Sequence, residues 1–326
     1  MIYDYIVGNI KKGLNKPTKI EKIIFSVTYL CNSKCRMCSC WQEDKNNRKH
    51  ELTFKQIEQF LYENYPLFKD LKEISITGGE PFLKKDIDKI IELFLNYKKD
   101  IKVSVSTNGL LTNLILNYLK EINDERLKIS ISLDGLKEKH ELIRRIPGGY
   151  DKTISTIKQL KQKGIRLQIG MLLTPLNYLE FLKVKKLAEQ LDCDFIFQIM
   201  NKAEYFGEQE FISFKDTQIK EIEEMIGTDG TRTEKFIKKG ILDYLKGKAS
   251  FNCFAGFNSF HLDPYGNIFA CLPNEFYLGN IKINSMIEIW FGEGAEQRRK
   301  QVKKCNNCWL LCQLSPSMKY NIHNLW

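Results

Sequence analysis

Near the N-terminus, three cysteines are spaced as ligands of one shared inorganic centre: Cys31, Cys35 and Cys38. They follow the apolar run 23–27, which predicts a first strand, so they fall on the loop at its end. A closed tetrahedral site needs four protein ligands, and three thiolates with no histidine beside them suit an iron–sulfur cluster with one open iron. An open iron can bind a cofactor or a substrate, so the spacing indicates a catalytic site. The alternatives are three reduced structural thiols or part of a zinc site.

A second group of cysteines lies near the C-terminus: Cys253, Cys271, Cys305, Cys308 and Cys312. Between the first two, Asp263-Pro-Tyr-Gly266 has Pro and Gly where a type I turn prefers them. The turn predicts a hairpin that brings Cys253 and Cys271 together. Four-cysteine sites bind zinc as well as iron–sulfur clusters, so a zinc ribbon is the rival interpretation.

The elements that position these groups alternate between strands and helices. Strands are predicted at 23–27, 73–77, 101–107, 129–133, 165–173 and 195–199. The intervening helices include one with a capping box from Thr53 to Gln56 and one at 111–122. This alternation predicts parallel βαβ units with right-handed crossovers, an α/β fold. Chemistry in such folds occurs at the C-terminal strand ends, where 31–38, 78–81, 107–109 and 132–135 all fall.

The composition limits the classes of protein that remain. The 326 residues suit one large α/β domain with an appendage. The formal charge of +10, from 50 basic and 40 acidic residues, permits an anionic substrate but does not establish nucleic-acid binding. No apolar run approaches the ~20 residues of a membrane span, and we see no secretory signal. Ten cysteines are then expected to be metal ligands in a reducing cytoplasm rather than disulfides.

The spacing Cys-x3-Cys-x2-Cys, followed about forty residues later by Gly78-Gly79-Glu80-Pro81, resembles the signature of the radical S-adenosylmethionine (radical SAM) enzymes. In that family the open iron chelates the amino and carboxylate groups of S-adenosylmethionine. The resemblance covers residues 22–199 and implies a partial (β/α)6 barrel with parallel strands. Cys31, Cys35 and Cys38 would hold its [4Fe–4S] cluster.

The resemblance also implies which residues bind S-adenosylmethionine. The candidates are Gly78, Gly79, Glu80 and Pro81 near the methionyl amino group, Ser132 and Asp134 near the ribose, Thr107 and Asn108 as weaker matches, Arg144 or Arg145 for the carboxylate, and Met37 over the adenine. Met37 stands where the family often has an aromatic residue, and its polarizable side chain can still cover an adenine face. Turn chemistry is the alternative explanation for the Asn-Gly and Asp-Gly pairs. A surface position is an equal alternative for both arginines, which we expect on a loop before a helix at 151–163.

The C-terminal pattern, Cys-x12-Gly-x4-Cys and then Cys-x2-Cys, resembles the twitch subdomain, a shortened relative of the SPASM domain. That subdomain holds one auxiliary [4Fe–4S] cluster through four cysteines. The resemblance implies Cys253, Cys271, Cys305 and Cys308 as its ligands. Cys312 lies about one helical turn after Cys308. It would replace one of the four ligands or remain a free thiol.

The predicted organisation has four segments: an N-terminal arm at 1–21, the partial barrel at 22–200, a helical bridge at 201–252 and a small cysteine-rich α+β iron–sulfur subdomain at 253–326. Within the last segment, Arg298-Arg299-Lys300 is expected to lie on a solvated helix face, with a phosphate-bearing substrate as the alternative contact. Trp290 is expected in the core.

The function that the resemblance implies is a radical SAM oxidoreductase with two [4Fe–4S] clusters. The reduced barrel cluster passes one electron to the sulfonium of S-adenosylmethionine, and the resulting 5′-deoxyadenosyl radical takes a hydrogen atom from the substrate. An auxiliary cluster that accepts an electron from the substrate radical gives a net two-electron oxidation. A flavodoxin- or ferredoxin-type protein is the expected electron donor. No general base is assigned.

Two substrate classes stay open. A sugar, aminocyclitol or nucleotide sugar is favoured because the N-terminal arm is too short for a recognition domain, although a separate recognition protein would cancel that argument. The second class is a ribosomal peptide that is oxidised, crosslinked or epimerised, and a spare thiol such as Cys312 would suit an epimerase. If the protein is not an enzyme, the alternatives are an iron–sulfur electron carrier and a zinc-dependent RNA-binding protein. Neither of these would cleave S-adenosylmethionine.

The ligand count predicts the iron content of the chain. Anaerobically reconstituted protein should carry about eight iron atoms, because two [4Fe–4S] clusters are expected. Replacing Cys31, Cys35 and Cys38 together by Ala should leave about half of that iron. Iron and zinc are measured by elemental analysis. Four or fewer iron atoms in well-folded wild type, with stoichiometric zinc, would contradict the two-cluster hypothesis.

Overall fold

The computed structural model describes residues 2–43, 45–200, 213–272, 276–306 and 308–321. The strands of these residues form one sheet. They are β1 (Lys22–Thr28), β2 (Glu73–Gly78), β3 (Lys102–Thr107), β4 (Leu127–Ser132), β5 (Arg166–Leu173), β6 (Asp194–Ile199), β7 (Ser259–Leu262), β8 (Asn267–Phe269) and β9 (Tyr277–Asn280).

The sheet order is β6-β5-β4-β3-β2-β1-β7-β8-β9. The first six strands pair in parallel in chain order, which confirms the predicted α/β partial barrel. The sequence did not predict that β7 also pairs with β1 in parallel, from Lys22 opposite Ser259 to Phe25 opposite Leu262. β8 and β9 then add antiparallel strands, so the C-terminal segment extends the sheet of the barrel.

The helices of the described residues follow the alternation of the strands. They are α1 (Ile2–Gly13), α2 (Phe54–Glu63), α3 (Tyr65–Phe68), α4 (Ile87–Tyr97), α5 (Thr112–Tyr118), α6 (Lys137–Arg144), α7 (Gly149–Gln162), α8 (Phe181–Gln190), α9 (Asp216–Ile226), α10 (Arg232–Leu245), α11 (Met286–Phe291), α12 (Glu293–Val302) and α13 (Leu311–Ser317). Short 3₁₀ helices lie at Cys40–Gln42, Lys45–His50, Pro81–Leu83, Tyr178–Glu180 and Met318–Tyr320. Thr53 caps α2 with the predicted capping box to Gln56. None of these helices combines the length and the hydrophobicity needed to cross a bilayer.

Alternation along the strands gives the sheet one apolar and one polar face. Residues such as Ile129 and Ile131 are fully buried, whereas Ser130 between them is half-buried. The register sets Ser130 beside Ser106 of β3 and beside Gln168 of β5. The inner face of the partial barrel is therefore lined largely by hydroxyl and amide groups. In contrast, β1 is buried at every position, as expected of a central strand covered on both faces.

Two local predictions were wrong. The predicted loop before 149 contains helix α6, which ends at Arg144, and Arg145 follows it in a left-handed conformation (φ 54°). Its sequence is mostly charged, and only His140 and Ile143 are buried, so its apolar face is too narrow to give a clear periodic signal. The helix predicted at 111–122 is limited to α5.

The C-terminal segment contains the predicted hairpin between β7 and β8. The carboxylate of Asp263 accepts hydrogen bonds from the backbone N–H of Tyr265 at 2.9 Å and of Asn267 at 2.8 Å. Gly266 has φ of +93°, a value that favours glycine. As predicted, Trp290 is a core residue. The four-segment division of the chain stays a prediction, and residues 201–212 of the predicted bridge lie outside the described residues.

Arg299 departs from the expected solvated helix face, since it is 2% exposed. Its guanidinium donates hydrogen bonds to Gly256 O at 2.7 Å and to Trp290 O, and it lies 5.0 Å from the Trp290 ring. Neighbouring Arg298 and Lys300 keep at least part of their surface in solvent. Arg299 therefore links α12 to α11 and to the loop before β7 from inside the core.

Replacing Arg299 by Ala should lower the free energy of unfolding by about 3 kcal/mol, because two buried carbonyl groups lose a charged donor and a cavity forms. The matched variant Arg298→Ala should change it by less than about 0.5 kcal/mol, since its main partner is the exposed Gln301. Urea unfolding of the cluster-free chain provides the measurement. Equal destabilisation by the two variants would contradict a structural role specific to Arg299.

Candidate active site

The first three cysteines lie together on the loop that leaves β1. Cys35 is buried, Cys31 and Cys38 are partly buried, and the charges of Cys35 and Cys38 both act on Cys31. Burial raises the pKa of Cys31 to about 12. Hydrogen bonds from Cys40 lower the pKa of Cys38 to about 7. The loop thus brings the three predicted ligands of the first cluster into one small volume.

The glycine pair at the end of β2 fastens this loop to the sheet. The backbone N–H of Gly79 donates to Thr28 O, and that of Glu80 donates to Leu30 O, each at 2.8 Å. A Cβ atom on Gly78 would overlap Thr28 O, and one on Gly79 would overlap Leu30 O. The sequence predicted that these glycines let the backbone approach a ligand. In the structure the close approach is to the segment that leads into Cys31, and contact with a cofactor stays a prediction.

Glu80 joins the ends of β2 and β3 through hydrogen bonds. Its carboxylate is 1% exposed and accepts hydrogen bonds from Thr107 Oγ1 and the Asn108 backbone N–H, both at 2.8 Å, and from the Phe82 N–H at 3.2 Å. Burial raises the pKa of Glu80 to about 7, although the three donors act to lower it. Three of the predicted residues at these strand ends, Glu80, Thr107 and Asn108, therefore meet at one buried carboxyl group.

Asn108 connects the hydrogen bonds around Glu80 to the cysteine loop. Its side-chain amide donates to Asn32 Oδ1 at 2.8 Å and to Ser33 Oγ at 3.2 Å, between the first two cysteines. Thr153 of α7 donates to the Asn108 carbonyl at 3.0 Å. The ends of β2 and β3 therefore hold the cysteine loop through side chains as well as through backbone.

Asp134 and Arg144 form a buried ion pair on the other side of the loop. Arg144 Nε donates to Asp134 Oδ2 at 2.6 Å, and Arg144 Nη1 lies 3.8 Å from Cys35 Sγ. The second carboxylate oxygen of Asp134 accepts from the Leu172 N–H at 2.9 Å. Burial lowers the pKa of Arg144, but the charges of Asp134 and Cys35 outweigh it and hold that pKa above its usual range. A fixed positive charge therefore adjoins the cysteine loop.

The remaining predicted residues differ in their proximity to the loop. Arg145 is exposed, so Arg144 is the arginine of the pair that reaches the thiols. Met37 is buried in one apolar cluster with Cys35, Ile143 and Met200. Pro81 is buried at the start of its 3₁₀ helix. Ser132 is partly buried at the end of β4, opposite Gly170.

Three of the C-terminal cysteines line a second pocket. Cys253, Cys305 and Cys308 line an open cavity, with Phe251 and Leu310 among the apolar residues of its wall. Burial raises the pKa of Cys253 and Cys308 above the usual range of a thiol. We call this cavity the second thiol pocket.

The other two C-terminal cysteines do not line this pocket, but both lie near Cys253. Cys271 packs in the same apolar cluster as Cys253, in agreement with the predicted approach of the hairpin ends. Cys312 is partly buried, and the charges of Lys22 and Cys253 both act on it. Lys12 of α1 also interacts electrostatically with Cys253, and burial lowers the pKa of this lysine to about 8.

The donor chemistry of both sites fits iron–sulfur clusters. Each site offers several thiols close together, and the first adds the positive charge of Arg144 next to Cys35. Thiolates are the ligands of such clusters. Within the described residues, no three Cys, His, Asp or Glu side chains are grouped to enclose a single metal ion. A cluster spreads its ligands more widely than a single ion does, so this spacing is compatible with clusters.

Comparison with known families identifies both parts of the chain. The model of the radical SAM superfamily matches residues 25–188, half of the chain, and that of an iron–sulfur cluster-binding domain, SPASM, matches 253–309. The protein belongs to the radical SAM superfamily. The two matched domains imply two [4Fe–4S] clusters and S-adenosylmethionine as the cofactors of a radical SAM enzyme. The predictions of family and cofactors are confirmed.

The relatives of this radical SAM enzyme differ in how much of the chain they match. GTP 3′,8-cyclase of Aliarcobacter butzleri is 32% identical over 158 residues, 47% of this chain and 46% of that protein. The subtilosin biosynthesis protein AlbA of Bacillus subtilis is 27% identical over 277 residues, 79% of this chain and 56% of AlbA. This chain thus spans about half the length of the curated relatives that it matches. Streptococcus suis SuiB, crystallised with its precursor peptide SuiA, has the same fold (TM-score 0.67, 16% identity, 94% of this chain and 74% of SuiB).

Sequence reasoning missed several residues that support the site of this radical SAM enzyme. Asn32 and Ser33 bind Asn108, although they lie inside the quoted cysteine motif. His140 Nδ1 accepts from the Asp134 N–H at 3.2 Å, and burial lowers the pKa of His140 to about 4, which keeps it neutral. Asn177 donates to Asp134 O at 2.8 Å. The position of Asn32 and Ser33 inside the cysteine motif was a sequence signal that could have identified them. No local sequence signal identifies His140 and Asn177, because they reach Asp134 only through the tertiary fold.

The raised pKa of Glu80 predicts a pH-dependent stability. A carboxyl group with a pKa near 7 in the folded chain and 4.5 in the unfolded chain stabilises the fold at low pH, and this contribution is lost as the pH rises through 7. The stability advantage of wild type over Glu80→Gln should be larger at pH 5.5 than at pH 8 by about 2 kcal/mol. Urea unfolding of the cluster-free chain at both pH values measures this. An advantage that is constant or grows with pH would contradict the raised pKa.

Proposed function

We propose that this radical SAM enzyme oxidises a peptide substrate by two electrons and that its auxiliary cluster receives an electron from the substrate. Cys31, Cys35 and Cys38 would hold the cluster with the open iron. Cys253, Cys271, Cys305 and Cys308 would hold the auxiliary cluster, with Cys312 beside it. When bound, the clusters and S-adenosylmethionine supply one-electron transfer and a radical able to abstract a hydrogen atom.

The observation that carries the proposal is that the two thiol groups lie at opposite ends of β1. Cys31 follows the C-terminal end of this strand, whereas Cys312 interacts with Lys22 at its N-terminal end. Seven residues of strand separate these ends by roughly 20 Å. Hydrogen abstraction at one end and electron acceptance at the other would then take place on one rigid sheet.

The polar inner face offers a place for a substrate between the two ends. Ser104 of β3 donates to Ser75 of β2 at 3.1 Å, and Ser106, Ser130 and Gln168 continue the polar row across β3, β4 and β5. Hydroxyl and amide groups can both donate and accept hydrogen bonds. Such a face suits the backbone amides of a peptide or the hydroxyl groups of a sugar.

The relatives favour a peptide over a sugar as the substrate. AlbA, which matches 79% of this chain, is a bacteriocin biosynthesis protein, and SuiB has been crystallised with a precursor peptide. The matches to GTP 3′,8-cyclase cover about half of the chain. A sugar- or cyclitol-like molecule, the substrate that the sequence alone favoured, is the second candidate because the hydroxyl-lined face suits it as well.

The chain's own residues would position the reacting groups. Glu80 and Asn108 hold the cysteine loop in one conformation through the hydrogen bonds described above. Arg144 would offset the negative charge of a cluster bound through Cys35, because the ion pair with Asp134 fixes its guanidinium there. Asp134, Ser132 and Thr107 line the same strand ends and are proposed to contact the cofactor.

Replacing Cys305 and Cys308 together by Ala should abolish substrate oxidation but preserve formation of 5′-deoxyadenosine, because the auxiliary site loses two ligands and the barrel site loses none. Cys35→Ala should abolish formation of 5′-deoxyadenosine. Cys193→Ala, a partly buried thiol outside both sites, is the matched control and should behave like wild type. The dithionite-reduced variants are assayed with synthetic peptides, including any short peptide encoded by a neighbouring gene, and with a panel of sugars, by chromatography and mass spectrometry.

A peptide that loses two hydrogen atoms in the presence of the wild-type enzyme would support the proposal. If only a sugar loses two hydrogen atoms, the substrate is a sugar, the second candidate. Oxidation at the wild-type rate by the Cys305/Cys308 variant would show that the electron-acceptor role is wrong.

The variant Cys312→Ala determines the role of the fifth C-terminal cysteine. Loss of about four iron atoms would make Cys312 a ligand, whereas full iron with turnover stalled after hydrogen abstraction would make it a hydrogen donor.

A further inference from the structure

A band of exposed positive charge borders the outer side of the cysteine loop. Cys31 lines an open cavity together with aromatic residues that include Trp41 and Tyr265. Lys45 and Arg48 line the same cavity at its edge. The thiol of a proposed cluster ligand therefore lies directly behind a positively charged part of the surface.

Three segments of the chain contribute to this band, which we call the basic rim. Its members are Lys34, Lys45, Arg48, Lys49 and Lys282, and all five are exposed. Lys34 Nζ lies 5.9 Å from the Trp41 ring centroid. The three central members belong to the 3₁₀ helix Lys45–His50, none of whose residues is buried. Lys282 Nζ donates to His50 O at 2.7 Å, which brings the loop after β9 to the same place.

The carboxylates near the basic rim are committed to other contacts. Glu51 is buried and pairs with Lys84 at 3.0 Å. Glu43 accepts hydrogen bonds from Tyr265 Oη at 3.0 Å and from Asn47 at 2.8 Å. Asp44 lies outside the described residues. Both carboxylates that line this cavity, Glu43 and Glu51, therefore already have partners within the chain.

We propose that the basic rim is the docking surface for an acidic one-electron carrier protein, which reduces the cluster held through Cys31. The inference rests on the proposed assignment of Cys31 to that cluster. Reduction requires an electron from outside the chain, and the carrier loses one electron as the cluster gains one, with no atom transferred. Opposite charges on two protein surfaces speed and orient such an encounter.

An exposed apolar residue next to the rim supports a protein as the occupant. Ile283 follows Lys282 directly and is 81% exposed. Protein interfaces typically surround an apolar centre with a polar rim. A small anionic substrate would gain nothing from an isoleucine outside the cavity, whereas a protein surface would cover it.

The test separates the carrier from the chemical reductant. Holoenzyme is mixed anaerobically with reduced acidic flavodoxin or with dithionite, and bleaching of the cluster absorbance is followed by stopped flow. The phase that is missing in Cys35→Ala is assigned to the barrel cluster. Lys45→Glu/Arg48→Glu should slow this phase about tenfold with flavodoxin at low ionic strength, and added salt should narrow the difference. With dithionite the rate should be unchanged.

The matched control, Lys158→Glu/Lys220→Glu, makes the same change in net charge at exposed positions on α7 and α9. It should bleach at the wild-type rate with both reductants. Equal slowing by the two double variants, or no slowing by the rim variant, would overturn the proposal. So would a rim variant that loses only substrate turnover under dithionite, since the rim would then bind an acidic substrate. Bleaching of the cluster requires neither S-adenosylmethionine nor substrate. A failure of the docking proposal can therefore be distinguished from a failure of the proposed peptide oxidation.

Discussion

The active-site end of the barrel depends on one buried carboxyl group, that of Glu80. It accepts hydrogen bonds from two strand-end residues, Thr107 and Asn108, while the backbone N–H of Glu80 itself donates to Leu30 just before the first cysteine. Asn108 then reaches into the cysteine motif through Asn32. Because an unsatisfied carboxylate is costly to bury, these contacts must form together. The geometry of the thiol loop is therefore coupled to the pairing of β2 with β3.

The central strand β1 couples the two thiol sites. It is buried along its whole length and pairs with β2 on one side and with β7 on the other. β2 carries Glu80 at its end, whereas β7 belongs to the segment that carries the second thiol pocket. The cysteine loop and the second thiol pocket are therefore both attached to the same central strand. Arg299, buried in the C-terminal segment, stabilises the connection between α12 and the loop before β7.

Much of this architecture was predictable because it depends on local patterns. Apolar and alternating runs located the six parallel strands, and Thr53 with Gln56 predicted a cap that the structure contains. The pairing of β7 with β1 was not predictable from periodicity, since pairing joins segments more than two hundred residues apart. The nearly continuous apolar run of β1 was a usable sign of a strand with neighbours on both sides.

Side-chain partnerships were the least predictable part of the site. The motif around Gly79 suggested contact with a cofactor, yet the space beside it is occupied by Leu30 O. Arg144 and Arg145 were equivalent in sequence, and only the end of α6 separates a partly buried guanidinium from an exposed one. Arg299 looked like part of a solvated basic run because its carbonyl partners are distant in sequence. Burial of such polar groups is decided by tertiary contacts that local composition does not encode.

The central claim is that Cys31, Cys35 and Cys38 hold a cluster whose open iron binds S-adenosylmethionine. Electron–nuclear double resonance tests it most directly, using the reduced chain and S-adenosylmethionine labelled with ¹⁵N in its amino group and ¹⁷O in its carboxylate. The account predicts coupling of both labels to the cluster in wild type and none in Cys35→Ala. Fully assembled clusters that show no coupling to either label would contradict the account.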